Sequence, residues 1–193
     1  AQDVKKLRDI TDAGFIDCKK ALVACDGDID KAVDHLRKEG LAKAQKKLSR
    51  DAGEGRIFHY VHSNQKIGVI VEIFCETDFV AKTEAFQNLG KDIAMHIAAE
   101  APIAVSRDDF PADIIAKERE IYAGQVEKLG KPQEIIDKIV DGKIDKFLKD
   151  RVLLEQGFVK DPDITIDEMV KGFIGKVGEN VVIGKFERIQ IGE

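Results

Sequence analysis

The chain has 193 residues, 44% of them hydrophobic and 35% charged, which suits one ordinary domain plus a smaller one built on a real core. Its net charge of −5 argues against nucleic-acid binding as the main task, because that shows as a basic excess. No run reaches the roughly 18–20 apolar residues of a membrane span, and the opening Ala1–Lys6 holds no signal-peptide core. Cys18, Cys25 and Cys75 are odd in number and form no CxxC pair, so neither a disulfide framework nor a zinc site is expected and a reducing, cytoplasmic setting fits.

Residues 1–38 read as three short helices. Val4, Leu7 and Ile10 stripe the first, Cys18, Ala21, Leu22 and Cys25 the second, and Ile29, Ala32, Val33 and Leu36 the third. Gly14 and Gly27 punctuate them, and Asp28 is placed to cap the third. So small a bundle has a thin core, which points to a docking module for peptides or proteins. The pattern Ala13-Gly-Phe, Ala21-Leu22, Gly27-Asp-Ile, Ala32-Val and Leu36 resembles ubiquitin-associated three-helix domains. Of the adjacent helical pair Phe15-Ile16, one faces outward beside Asp17, Lys19 and Lys20, as a docking point would. The Lys-, Ala- and Gly-rich stretch 39–55 is read as a linker, in part a continuing exposed helix.

Residues 56–193 form the expected core. Ile57–His62 and Lys66–Cys75 read as strands of a hairpin turning at Ser63–Gln65. On the second strand Ile67, Val69, Val71, Ile73 and Cys75 share one face at period two. The pattern breaks at Glu76-Thr77-Asp78-Phe79, and a helix from about Thr83 to Glu100 ends before Pro102. Residues 111–149 read as a projecting, coiled-coil-like helical hairpin. Ile115, Tyr122 and Leu129 line its first arm and Ile136, Val140, Ile144 and Phe147 its second, across a Leu129-Gly130-Lys131-Pro132 turn. The tail Val181–Ile191 reads as one or two strands returning to the sheet. The fold class is α+β: a three-helix bundle, then a core with an antiparallel sheet and a helical hairpin.

Motifs of chemistry are weak. Gly172-Phe-Ile-Gly175-Lys176-Val177 falls short of a phosphate-binding loop, lacking the earlier Gly and having Val177 where Ser or Thr should stand. Cys75 continues an apolar strand face and has no base beside it, so a Cys–His nucleophile is disfavoured. His59 and His62, three apart on a strand, point to opposite faces and make poor co-ligands. No catalytic residue, cofactor or metal is expected. Alone, Asp78-Phe79 reads as a helix cap followed by a hydrophobic staple.

Five separated segments alter that balance: Thr11–Leu22, Cys75-Glu-Thr-Asp-Phe-Val-Ala-Lys82, Ile93-Ala-Met-His-Ile-Ala-Ala99, Gly130-Lys-Pro132 and Gly184-Lys-Phe-Glu187. In this order they resemble the bacterial elongation factor Ts family over essentially the whole chain. The resemblance implies a guanine-nucleotide exchange factor for the GTPase elongation factor Tu that performs no covalent chemistry. It implies that Ile16, Asp17, Lys19 and Lys20 contact the GTPase. It also implies that Thr77, Asp78, Phe79 and Val80 form a wedge disturbing the partner's magnesium and phosphate site. Two departures stand out. Many relatives have two methionines where this chain has Phe15-Ile16, and longer members carry a duplicated core. The chain resembles the short, single-core form, which implies a homodimer, with His96 a further candidate at an interface. The competing readings are a generic ubiquitin-associated-type adaptor that dimerises through its helical arm, and a Cys75-dependent enzyme.

Overall fold

A computed structural model describes residues 2–11, 13–127 and 132–192. The chain divides into two compact units, each assembled from three separated stretches: Ala1–Ile57, Glu72–Leu89 and Glu168–Ile183 in the first, Phe58–Val71, Gly90–Asp167 and Gly184–Glu193 in the second.

The first unit opens with helices α1 (Gln2–Thr11), α2 (Phe15–Ala24) and α3 (Ile29–Gln45). Val4, Leu7, Cys18, Ala21, Leu22 and Ala32 form their common core, with Ile29, Val33 and Leu36 packed against it. The expected Asp28 cap is present, its carboxylate accepting the Lys31 N–H at 3.0 Å. Gly27, with φ +81°, closes the end of α2 by donating its N–H to Leu22 O. Ile10 departs from expectation. It is exposed because a spacing of i, i+3, i+6 has drifted off the 3.6-residue period, and Thr11, seven residues after Val4, takes the inward place with its hydroxyl 4.0 Å from Cys18 Sγ. Helix α3 runs on to Gln45 with Ala44 fully buried, so the first part of the 39–55 stretch is helical.

Three strands, β1 (Glu54–Val61), β2 (Ile67–Cys75) and β5 (Val181–Gln190), make an antiparallel sheet in the order β1-β2-β5. On β2 the period-two face is buried at Val69, Val71, Ile73 and Cys75, as the alternation requires. The tail is a single strand. After β2 come the one-turn helix α4 (Asp78–Ala81) and α5 (Glu84–Glu100). Helix α5 gives Phe86 and Leu89 to the first unit's interior and Ile93 and Ile97 to the second's.

In the second unit α6 (Ala112–Glu127) and α7 (Gln133–Arg151) form the expected helical hairpin. Val126, Ile136, Val140, Ile144 and Leu148 are buried between them, with Ile115, Tyr122 and Phe147 packed alongside. Leu129, Gly130 and Lys131 lie outside the described residues. A 3-10 turn (Leu153–Glu155) and a small hairpin of β3 (Gly157–Phe158) and β4 (Asp161–Thr165) follow. Helix α8 (Ile166–Val177) then leads back to the sheet. Neither that hairpin nor α8 was expected. Pro162 demotes β4 as a strand by local rules, and the glycines of α8 invite a loop reading. The Gly172–Val177 segment is therefore helix, which a phosphate-binding loop cannot be.

Candidate functional site

The strand-to-helix turn is built from β2 outward. At the strand's end Cys75 is buried and donates its thiol to Thr77 O at 3.2 Å. Thr77 is still extended, at φ −131° and ψ 153°, and its hydroxyl accepts the Val80 N–H at 3.4 Å. The cap of α4 is thus Thr77 and not Asp78. Asp78 sits one position later, in the first helical turn, and pairs with Lys82 at 2.5 Å. The hydrogen bond from Lys82 holds the Asp78 carboxyl below the usual carboxylate range. At the other end Ala81 O accepts from Arg56 Nε at 2.7 Å and from Gln87 Nε2 at 2.9 Å. A four-residue helix cannot stand alone, since nucleation costs more than one turn returns, so these outside donors hold it.

On this turn Phe79 is 79% exposed. The staple reading fails: a staple packs back on its own helix, whereas this ring faces solvent. Val80 is half-buried and Ala81 buried, so the turn is anchored on one side and presents Phe79 on the other.

A second set of residues, 102 and 104 positions further along the chain, also holds the turn. Thr77 N–H and Thr77 Oγ1–H both donate to the Glu179 carboxylate, at 3.0 and 2.7 Å. In return Asn180 N–H donates to the Glu76 carboxylate at 2.6 Å, and Arg50 stands 3.6 Å from that same oxygen. Asn180 Nδ2 donates to Leu48 O and Arg50 O, and Lys47 donates to Gly178 O. Glu76 lies within the Cys75–Lys82 motif, but no motif marks its partners Glu179 and Asn180, because a pairing over 102 and 104 positions has no local period.

On α2 both Phe15 (58%) and Ile16 (67%) are exposed, together with Val23 (73%), which sequence reasoning missed. Ile16, Lys19, Lys20 and Val23 are spaced i, i+3, i+4, i+7, so they share one helix face. Lys19 and Lys20 lie exposed there. Asp17 turns aside to Lys43 of α3, at 3.2 Å.

A family model described as "Elongation factor TS" matches residues 41–193. The protein named elongation factor Ts from Fervidobacterium nodosum is 53% identical over 193 residues, covering 100% of this chain and 98% of its own length. That from Thermosipho melanesiensis is 52% identical over the same span, again 98% of its own length. That from Desulfosudis oleivorans is 51% identical over 190 residues, or 98% of this chain and 96% of its own. The chain belongs to the elongation factor Ts family. The turn and its Glu179 anchor fall inside the stretch matched by the elongation factor Ts model. Ile16 to Lys20 precede that stretch and are covered by the full-length elongation factor Ts relatives. Those relatives are matched over 98% of their own length.

Against this elongation factor Ts frame the remaining candidates are structural. His96 is fully buried. Its Nδ1 accepts the Val159 N–H at 3.2 Å, which leaves the proton on Nε2 to be given to Gln156 Oε1 at 3.0 Å. Burial pushes its pKa down, with Gln156 and Glu100 pulling the other way, so it is a neutral interior residue and offers no surface for an interface in this conformation. Burial, helped by the charge of Glu179, pushes the Cys75 thiol up, the reverse of an activated nucleophile. Among the described residues no group of three His, Cys, Asp or Glu side chains is placed to hold a metal. Among them, too, no helix is long and apolar enough to cross a membrane.

Proposed function

We propose that the chain is a guanine-nucleotide exchange factor that binds the translational GTPase elongation factor Tu and promotes GDP release. The observation that carries this reading is Phe79: a large apolar side chain, 79% exposed, on a turn fixed by four outside donors and acceptors. Exposing such a ring is unfavourable in the free protein and is explained by a partner that receives it. GTPases hold nucleotide through magnesium and backbone cradling of the phosphates, so a ring inserted beside that site loosens both. Thr77, Asp78 and Val80 shape the wedge. Residues 1–38 act as the docking module, with Ile16, Lys19 and Lys20 meeting the GTPase and Asp17 orienting Lys43 beside them. The core of 56–193 carries the wedge. By reciprocity, nucleotide must weaken the hold of the factor on its partner to the same degree. The factor forms and breaks no covalent bond, needs no cofactor or metal of its own, and works in the cytoplasm on a protein rather than on nucleic acid or a membrane.

We also propose that it works as a homodimer. Val61 on β1, Ile70 on β2 and Ile189 on β5 are exposed, with Ile191 just beyond. The bonds His62 N–H to Ile67 O and Ile191 N–H to Lys66 O set a register that puts all four on one sheet face. These four apolar side chains form a patch, with exposed His59 and Glu187 beside Ile70 on the same face, that a second copy covers across a two-fold axis. Sedimentation should give twice the chain mass, and Val61→Lys with Ile189→Lys should halve it. A parent that sediments as a single chain at working concentrations removes the dimer.

The test of function is release of a fluorescent GDP analogue from elongation factor Tu in the presence of magnesium. Acceleration that saturates with the factor's concentration, and drops in Phe79→Ala, is the expected result. A folded factor that gives no acceleration overturns the reading.

A further inference from the structure

We infer that Glu179 is a positioning residue for exchange: its carboxylate sets the Thr77 cap and thereby the direction in which Phe79 is presented. This rests on the reading of Phe79 as the wedge and adds to it a residue that no motif marks.

At the centre of this arrangement is the Thr77 hydroxyl. It is asked to do two things at once, to accept from Val80 N–H and to place its own proton. Glu179 Oε1, 2.7 Å away, takes that proton, which leaves an oxygen lone pair directed at Val80. Glu179 Oε2 takes the Thr77 N–H at 3.0 Å, so both donors of one residue end on one carboxylate. Such charge-assisted pairs are short, directional and stronger than neutral ones. Without them Thr77 could rotate its hydroxyl away and the single turn of α4 would lose its cap. The carboxylate is itself held in place. Its neighbour Asn180 donates backbone N–H to Glu76, the residue before Thr77, so Glu76-Thr77 and Glu179-Asn180 grip each other reciprocally. Each pair supplies one side-chain carboxylate and one backbone donor to the other. That geometry fixes the turn against rotation, where a single bond would leave a pivot.

A wedge acts only if its ring arrives in the right orientation, and loss of orientation reads out in the maximal rate rather than in docking. Four variants test the inference in the GDP-release assay on the full chain: Glu179→Ala, Thr77→Val, Thr77→Ser and Phe79→Ala. Glu179→Ala should lower the saturating rate by about tenfold and shift the half-saturating concentration by less than about threefold, since docking by residues 1–38 is untouched. Thr77→Val, which keeps the N–H donor and the side-chain shape, should show a smaller loss of the same kind. Thr77→Ser keeps both donors and should stay near the parent. The double variant Phe79→Ala with Glu179→Ala should be no slower than Phe79→Ala alone, because Glu179 acts through that ring. Amide exchange at Val80 should quicken in Glu179→Ala while the core amide of Val71 keeps its protection.

A parent-like rate in both Glu179→Ala and Thr77→Val, with Phe79→Ala slow, overturns the positioning role and leaves the wedge standing. Losses that add in the double variant overturn it too, since they would show Glu179 acting elsewhere. A parent-like Phe79→Ala overturns the wedge itself and this inference with it. Should Glu179→Ala fail to fold, Thr77→Val against Thr77→Ser decides the matter.

Discussion

Gly175 of α8 lies so close to Gly40 of α3 that a Cβ built on it would stand 2.6 Å from Gly40 O and 2.8 Å from Gly40 Cα. Both neighbours are backbone and cannot swing away, so the approach of the two helices requires glycine. The glycine that suggests a phosphate loop in sequence is a packing residue. Gly175→Ala should therefore cost about 1–3 kcal/mol, as overpacking does. Gly172 of the same helix has open space around its Cβ position, and Gly172→Ala should gain roughly 0.5–1 kcal/mol from helix propensity. Urea unfolding of the two variants checks the pair. Equal effects would show that the contact is slack.

Elements whose signal is local were legible from sequence. The β2 alternation of Val69, Val71, Ile73 and Cys75, the bundle core of Leu7, Ala21, Leu22 and Ala32, and the α7 stripe of Ile136, Val140 and Ile144 each repeat at the period of their element. What failed was long-range or reciprocal. Asp78 carries the right chemistry for a cap, yet Thr77 is the cap because Glu179 orders its hydroxyl from 102 positions away. Phe79 is an apolar residue in the first turn of a helix, and only its surroundings show it 79% exposed rather than packed back on that helix. His96 falls between Ile93 and Ile97 on the buried face of α5, which foretells burial, but Gln156 as its partner could not be read.

Two phenylalanines on neighbouring helices should respond oppositely. Phe86 of α5 is fully buried, its ring tilted by 53° against that of Phe173 with centroids 6.1 Å apart, whereas Phe79 is open to solvent. Phe86→Ala should cost about 3–5 kcal/mol, a fall in Tm of roughly 2–4 °C for each kcal/mol in a chain of this size. Phe79→Ala should leave Tm within about 1 °C, because an exposed ring contributes little to folding. A calorimetric scan in which Phe79→Ala melts several degrees early would restore the staple.

His96 gives the fold an acid-sensitive point. Its folded pKa is lowered, chiefly by burial, so the unfolded chain takes up the proton first as pH falls. Its share of stability is whole above the unfolded value of about 6.5 and is lost progressively from there down toward the folded value. For one proton the loss cannot exceed about 1.4 kcal/mol per pH unit. Protonation would also take Nδ1 from Val159 N–H, which then faces another donor. Unfolding free energies at pH 7.5 and 5.5 should differ by less in His96→Asn than in the parent. An identical difference in both proteins would place the acid sensitivity elsewhere.

Asn180 is buried, and its amide is used as a donor only. Nδ2 gives its hydrogens to Leu48 O at 3.3 Å and Arg50 O at 2.7 Å, while Oδ1 accepts from no donor among the described residues. Aspartate is nearly isosteric but has no hydrogens to give when ionised. Asn180→Asp would set a carboxylate against two carbonyl oxygens and close to Glu76, whose carboxylate already meets the Asn180 N–H. The cost at neutral pH should be roughly 3–5 kcal/mol, the range for an uncompensated buried charge. Asn180→Ala loses the same two bonds without adding charge and should cost about 1–3 kcal/mol. Aspartate should thus be the worse of the two at pH 7, despite being closer in shape. The new acid is neutral more readily in the folded state, so its folded pKa lies above the unfolded value of about 3.9 and its penalty shrinks as pH falls toward that value. Urea titrations of both variants at pH 7 and pH 4.5 separate charge from lost hydrogen bonds: the gap between aspartate and alanine should narrow in acid, and a gap indifferent to pH would mean that water reaches the site and screens the carboxylate.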